Sequence, residues 1–371
     1  MKICFDGIGL SHFKNTGLYT YTFELLNELS TLYPQSQYRV ISNKAITSNP
    51  FRNKKIDLIQ IDLNRRENDY SLLEKYITTN GINIYHSLNN GFSIPQNKVC
   101  KYVLTIDTLL PITYPQFADK KFSAKFLNVV PRALENSHKI IVVSKFIKDE
   151  LINYFNIDEK KIHVIYPCIS HMFRPLNEPR CKAILKSRYM IEQDFLLFSG
   201  SIHIRKHLML LLRAFKEILG YYSNINLVIV GNYSGKRRPY YLELKEYAQN
   251  LNIDDKVIFT GSVEYRDMPY FYNGALCTIN ISDYEGFPIS SLESLACNTP
   301  VICSHSSSFK EVPGHGLAYI NNNDFYGLKN ALIETMDKKH NNCFKNRLLD
   351  IKEYNPERFI KEHVRVYESI I

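Results

Sequence analysis

The chain has 371 residues, 45% of them hydrophobic and 22% charged, and a net charge of +9. That balance suits a folded protein of two ordinary domains and excludes a disordered or low-complexity chain. No apolar run approaches the roughly 20 residues of a membrane span, and the eight scattered cysteines, with no C-x-x-C pair, read as reduced, packed thiols and not as a disulfide framework or metal site.

The first residues, Met1–Asp6, predict a strand that runs into a glycine turn, without the apolar segment and cleavage site of a signal peptide. The expected location is therefore cytoplasmic. Short apolar strands are then predicted at 38–41, 56–61, 82–86, 102–106, 139–143 and 163–165, with amphipathic helices at 18–32, 70–77 and 146–154 between them. A proline-bearing stretch from Pro167 to Pro179 interrupts the alternation. Strands resume at 195–198, 226–230, 256–259, 276–281 and 300–303, and a last helix is predicted over 356–371. Alternation of this kind predicts an α/β protein of two doubly wound, Rossmann-like parallel-sheet domains facing across a cleft, with ligands at the C-terminal ends of the strands. The expected domains are 1–170, with 356–371 packing back on it, and 171–355.

Gly7-Ile-Gly9 after the first strand raises a dinucleotide-binding turn. The fingerprint needs a third glycine where His12 stands, and no acidic residue ends the second strand, Arg39-Val-Ile-Ser-Asn43, so a nicotinamide enzyme is set aside. The segment 117–132 mixes Lys120, Lys121, Lys125 and Arg132 with Phe117, Phe122 and Phe126 in a helical pattern. It reads either as a solvated basic face or as a peripheral contact with an anionic membrane. No nucleic-acid motif accompanies it, and nucleic acid is not an expected partner. Ser144 is placed to cap a helix, and Lys236-Arg-Arg238 reads as a charged loop in solvent.

Two groups of residues carry chemistry. Arg205 and Lys206 stand at the start of an apolar helix, where two cations oppose the helix dipole by about 0.3–1 kcal/mol each unless an anion sits beside them. In Asp283-Tyr-Glu-Gly-Phe-Pro-Ile-Ser-Ser-Leu-Glu293, the acids Glu285 and Glu293 flank a glycine turn and a new helix. The amides of Gly286, Phe287 and Ile289 can hold a phosphate there, with Glu285 on a sugar and Glu293 on a ribose. Pro288 has no N–H to offer.

Residues 283–316, together with Phe198-Ser-Gly-Ser-Ile-His-Ile-Arg-Lys-His-Leu208, Val257-Ile-Phe-Thr-Gly-Ser-Val263 and Asn15-Thr-Gly-Leu-Tyr-Thr-Tyr-Thr-Phe-Glu-Leu-Leu26, resemble the retaining family 4 (group 1) glycosyltransferases of the GT-B fold. The motifs follow the family's order over nearly the whole chain. The resemblance implies transfer of a hexose from a GDP-, UDP- or dTDP-linked donor to a hydroxyl of a glycan or lipid-linked acceptor, in surface polysaccharide synthesis, without metal or cofactor. It implies that Arg205 and Lys206 take the diphosphate, Glu285 the sugar and Glu293 the ribose, that Gly17 lets the backbone approach the donor, and that Asn232 and Val263 border the base. Thr105-Ile-Asp-Thr-Leu-Leu-Pro111 resembles a family segment with Asp107 where the family has histidine, so an acid takes over that position. The same fold also serves nucleotide-sugar epimerases, and a binding subunit without activity is the non-enzyme alternative.

Overall fold

The structure is a computed structural model that describes all residues except 14–15, 45, 47–48, 52–54, 62–69, 313–315 and 341–350, and the side chains of 339–340 and 351–352. Asn15, Pro313 and Gly314 of the motifs above, and Cys343, lie outside the described residues. The chain forms two compact units, Met1–Cys168 with Lys352–Ile371, and Ile169–Ile351.

In the first unit, β1 (Lys2–Asp6), β2 (Gln37–Ser42), β3 (Asp57–Gln60), β4 (Ile84–Ser87), β5 (Lys101–Ile106), β6 (Lys139–Val142) and β7 (Ile162–Val164) form one sheet in the order β3-β2-β1-β4-β5-β6-β7. In the second, β8 (Asp194–Ser199), β9 (Ile225–Val230), β10 (Val257–Gly261), β11 (Cys277–Asn280), β12 (Val301–Ser304) and β13 (Leu317–Ile320) are ordered β10-β9-β8-β11-β12-β13. Every pairing between described strands is parallel. The inner strands are buried on both faces, which explains why they read as continuous apolar runs such as Ile225-Asn-Leu-Val-Ile-Val230. Each sheet reverses its winding once, between β1 and β4 and between β8 and β11, and those are the points where open parallel sheets bind ligands.

The glycines after β1 serve packing. A Cβ on Gly7 would lie 2.5 Å from Val40 Cγ1, and one on Gly9 would lie 2.6 Å from Thr22 Oγ1. Both are needed for the short helix Ile8–His12 to sit against its neighbours. The helix Gly17–Leu32 follows, capped by Thr16, whose hydroxyl accepts from the Tyr19 amide. Strand β13 and the helix Phe325–His340 escape the sequence reading. β13 is a half-exposed edge strand of four residues, too short to show a period, and the helix mixes Lys, Asn and Asp through its apolar positions.

The last helix, Pro356–Glu368, belongs to the first unit. Asn355 caps it through the Arg358 amide at 2.7 Å, and Pro356 fits its first turn. Its buried face carries Phe359, Ile360, His363, Val364 and Tyr367 onto the helix Gly17–Leu32. A polar chain runs through this contact. Tyr21 Oη bonds His363 Nε2 at 2.9 Å, while Tyr367 Oη bonds His86 Nδ1 and Thr105 Oγ1 bonds His86 Nε2, each at 2.8 Å. Such a network sits in an apolar core only when every member is paired.

Burial makes both imidazoles hard to charge: His86 titrates well below the ordinary value and His363 is pushed down to about 4. The unfolded chain takes up protons near pH 6.5 while the folded chain does not, so stability is full above that pH and falls as pH drops toward 4. The expected loss is about 1.4 kcal/mol per pH unit for each imidazole. Urea unfolding at pH 7, 6 and 5 measures it. His363→Phe should flatten the slope, and an unfolding free energy that is level from pH 7 to 5 would contradict the network.

Candidate functional site

Strands β8 and β11 are adjacent, and the loops that leave them meet. After β8 the chain makes a single 3-10 turn, Ile204–Lys206, in which His203 Nδ1 accepts from the Arg205 amide at 3.3 Å. His207 then takes a left-handed conformation (φ +49°), and the helix Leu208–Ile218 starts after it. Arg205 and Lys206 thus precede the helix and do not open it, which corrects the sequence reading. The carbonyl of Arg205 accepts from the Asp283 amide at 3.0 Å, joining this turn to the loop after β11.

Glu285 lies at the junction. Arg205 Nη1 donates to its Oε1 at 2.7 Å and to the Tyr284 carbonyl at 2.5 Å, and Lys206 Nζ pairs with the same Oε1. Lys206 is only 5% exposed and also reaches Asn280 Oδ1 at 3.4 Å. Burial alone would raise the Glu285 pKa, but Arg205 and Lys206 overturn that and pull it down to about 2. Burial lowers the Lys206 pKa, with Glu285 opposing and Arg205 adding to the fall. The anion that relieves the two cations is therefore the chain's own. One carboxylate faces two cations, and its Oε2 takes no hydrogen bond from a described residue.

The loop of Glu285 is held by serines. Glu285 N donates to Ser307 Oγ at 3.1 Å, Ser308 Oγ to the Glu285 carbonyl at 2.7 Å, and Ser282 N to Ser304 Oγ at 2.8 Å. Asp283 bonds His207 at 2.8 Å. The expected anion-binding amides fare differently. Ile289 N donates to the Phe287 carbonyl at 3.0 Å across Pro288 (φ −86°, ψ 69°), an inverse γ-turn that consumes this amide. The phosphate expectation for Ile289 is corrected accordingly; Gly286 and Phe287 lie in the same loop just before it.

Glu293 lies on the helix Ile289–Ala296 and is buried. Tyr272 Oη donates to it at 2.9 Å and Tyr265 Oη at 3.4 Å, and Tyr272 in turn meets Ser199 Oγ at 3.0 Å. Asn280 connects the two clusters by donating to Ser290 and Ser291, both at 2.9 Å. It is the one amide in the apolar run Leu276–Ile281, and that was its only sequence signal. Asn232 accepts from the Ser234 amide and hydroxyl, both at 2.7 Å, and Val263 is buried beyond β10.

The first unit holds the other two candidates. A Cβ at Gly17 would meet nothing within 4 Å, so no contact among the described residues demands glycine there. Asp107 is half-buried and follows β5. Asn90 (φ +47°) clamps it, donating from Nδ2 to Asp107 Oδ1 and accepting the Asp107 amide at 3.0 Å. Burial raises the Asp107 pKa, and the Asn90 bond opposes this. Ser144 caps its helix through the Ile147 amide at 3.1 Å.

The sequence leads one to expect that removing Lys206 spares the fold; its burial against Glu285 argues otherwise. Breaking a buried pair on one side leaves a charge unpaired, so Glu285→Gln is expected to cost about 3 kcal/mol of stability. Lys206→Met in the same chain should recover part of that. Denaturant unfolding of the two single variants and the double variant gives the coupling, and a change under about 0.5 kcal/mol in Glu285→Gln would show that the pair carries no stability.

Residues 186–357 match the family described as glycosyl transferases group 1, and residues 52–172 match glycosyltransferase family 4. The chain is 24% identical over 290 residues to O-antigen chain mannosyltransferase B of Escherichia coli, covering 77% of this chain and 74% of that protein. It is 26% identical over 229 residues to O-antigen chain mannosyltransferase RfbU of Salmonella typhimurium, where it covers 62% of this chain and 59% of that protein. Among solved structures, sucrose-phosphate synthase from Thermosynechococcus elongatus aligns with a TM-score of 0.80 at 18% identity, covering 100% of this chain and 99% of that one. Anabaena HepE, solved in complex with UDP-glucose, aligns at 0.78 and 14% identity over 100% of both. The two family matches together take in most of the sequence and fall on both units, and the chain belongs to the group 1, family 4 glycosyltransferases with the GT-B fold.

Proposed function

We propose that the protein is a retaining, metal-independent glycosyltransferase that moves a hexose from a nucleoside diphosphate sugar to a hydroxyl of a glycan or lipid-linked acceptor in surface polysaccharide synthesis. The observation that carries this reading is the meeting of Arg205, Lys206 and Glu285 at the point where the second sheet reverses its winding. Two cations there suit a leaving diphosphate, whose charge grows as the glycosidic bond breaks. Glu285, ionised at neutral pH, accepts hydrogen bonds from sugar hydroxyls through Oε2 but has no proton to give. The leaving phosphate then takes the acceptor's proton on the same face, so the anomeric configuration is kept.

Glu293 is assigned to the ribose. Its 3.4 Å contact with Tyr265 is the weak one, which a ribose hydroxyl replaces at little cost. The second unit is thereby the donor side and the first the acceptor side. In the first unit, Gly17 is exposed and Asp107 is held by Asn90, and both stay assigned to substrate; in the second, Asn232 and Val263 stay assigned to the base. Gly286 and Phe287 remain assigned to the phosphate. The relatives named above make mannose the first sugar to try.

The location proposed is the cytoplasm, at the inner face of a membrane, and the helix Lys120–Asn136 supports the membrane contact. Asp119 caps it, its inner face buries Phe126, Val130 and Leu134, and its outer face exposes Lys120, Lys121 and Arg132 beside Phe122 (42% exposed) and Leu127 (53%). Among the described residues no helix is long and apolar enough to cross a membrane.

Incubation of the protein with GDP-, UDP- and dTDP-hexoses and lipid-linked oligosaccharides in anionic vesicles tests both halves. The account expects an α-linked product from an α-linked donor, protein that co-floats with the vesicles, and less flotation for Phe122→Ser with Leu127→Ser. An inverted product would remove the front-face mechanism, and an epimerised donor without transfer would make the chain an epimerase. Donor binding with no turnover on any acceptor would make it a binding subunit.

A further inference from the structure

The loop after β9 reads from sequence as a charged loop in solvent, but the structure gives its middle cation a different setting. Strand β9 lies directly beside β8. A Cβ on Gly231 would fall 2.0 Å from the Gly200 carbonyl oxygen, so the loop leaving β9 presses against the loop that carries Arg205 and Lys206. Asn232 then turns the chain by accepting from Ser234, Gly235 takes φ +59°, and a 3-10 turn, Gly235–Arg237, delivers Arg237 at the head of the helix Arg238–Asn250.

Arg237 is half-buried there, whereas Lys236 and Arg238 on either side of it are exposed. Its guanidinium makes no hydrogen bond or ion pair with a described residue, its loop packs against the loop that carries Arg205, and it lies within reach of the Arg205 charge. Partial burial and the like charge of Arg205 together lower its pKa. A guanidinium withdrawn from water toward another cation is an arrangement a protein keeps at a cost, and an anion between the two reverses it.

We propose that Arg237 is a third cation of the anion site at the ends of β8, β9 and β11, and that it binds the diphosphate of the donor together with Arg205 and Lys206. This rests on the function proposed above. Charge counting supports it: Glu285 cancels one of the three cations, and the two that remain match the two negative charges of a nucleoside diphosphate sugar. Guanidinium suits this role because its planar fork of donors meets two phosphate oxygens at once. A monophosphate, with one phosphate group to offer, uses the third cation less.

Titration calorimetry with inorganic pyrophosphate, UDP, GDP and the matching monophosphates tests the assignment. Arg237→Gln should weaken pyrophosphate and diphosphate binding about tenfold, the monophosphates less, while Arg238→Gln, which removes the same charge from the exposed neighbour, stays within about twofold of wild type. Arg237→Lys should recover part of the loss. Equal effects of Arg237→Gln and Arg238→Gln, or none from either, overturn the assignment while leaving the glycosyltransferase reading intact if diphosphates bind the wild type. Pyrophosphate binding that depends on Arg237, with no added affinity from any nucleoside, supports the third cation and overturns the nucleotide-sugar reading. Failure of the wild type to bind pyrophosphate or any diphosphate overturns both.

Discussion

The second unit is organised around one carboxylate that faces two cations across the ends of neighbouring strands. Glu285 comes from the loop after β11 and Arg205 and Lys206 from the turn after β8, and these strands meet where the sheet reverses direction. Reversal sends the two connecting segments to opposite faces of the sheet and opens a crevice between their loops. The salt bridge crosses that opening. It holds the loops at a fixed separation, keeps Glu285 ionised, and leaves the cations in excess over the anion. The serines around it serve the same end, since each hydroxyl ties a backbone group of the Glu285 loop to the strand and turn beyond β11.

Placing an Arg and a Lys before a helix, and not within it, has a consequence for chemistry. His207, in its left-handed conformation, separates the 3-10 turn from the helix that follows, so both cations point across the strand ends instead of along the helix surface. Lys206 is buried deeply enough that its ammonium cannot retreat into water, which holds it against Glu285 at the ends of β8 and β11. The first unit uses burial differently. Its neutral histidines tie in the last helix, His86 joining it to the sheet through Tyr367 and His363 joining it to the helix Gly17–Leu32 through Tyr21, so a segment more than 350 residues from the start of the chain becomes part of the first core.

Much of this was legible in the sequence because parallel strands bury both faces and announce themselves as apolar runs. Boundaries of the inner strands differ from the sequence reading by a residue or two. β13 was not legible, being an edge strand with two half-exposed residues and one exposed. Within the site, residue types and spacing pointed to Arg205, Lys206, Glu285 and Glu293, but not to how they meet. The sequence reading put the cations at the start of the helix, because a single 3-10 turn followed by a left-handed residue leaves no periodic trace. The γ-turn at Pro288 that occupies the Ile289 amide, the Asn280 link and the clamp of Asn90 on Asp107 all depend on positions far apart in the sequence or on local dihedrals that a lone chain does not reveal. Arg237 was legible as a charge but not as a partly buried one.

The account stands on the site at the ends of β8 and β11 receiving the diphosphate of a nucleotide sugar. A crystal structure of the protein soaked with a nucleoside diphosphate tests that most directly, through the positions of the two phosphorus atoms. The account predicts phosphate oxygens within hydrogen-bond distance of Arg205 and Lys206, with the ribose hydroxyls on Glu293. A diphosphate bound elsewhere on the second unit, with the bridge between Glu285 and the two cations undisturbed and no ligand beside it, would contradict it.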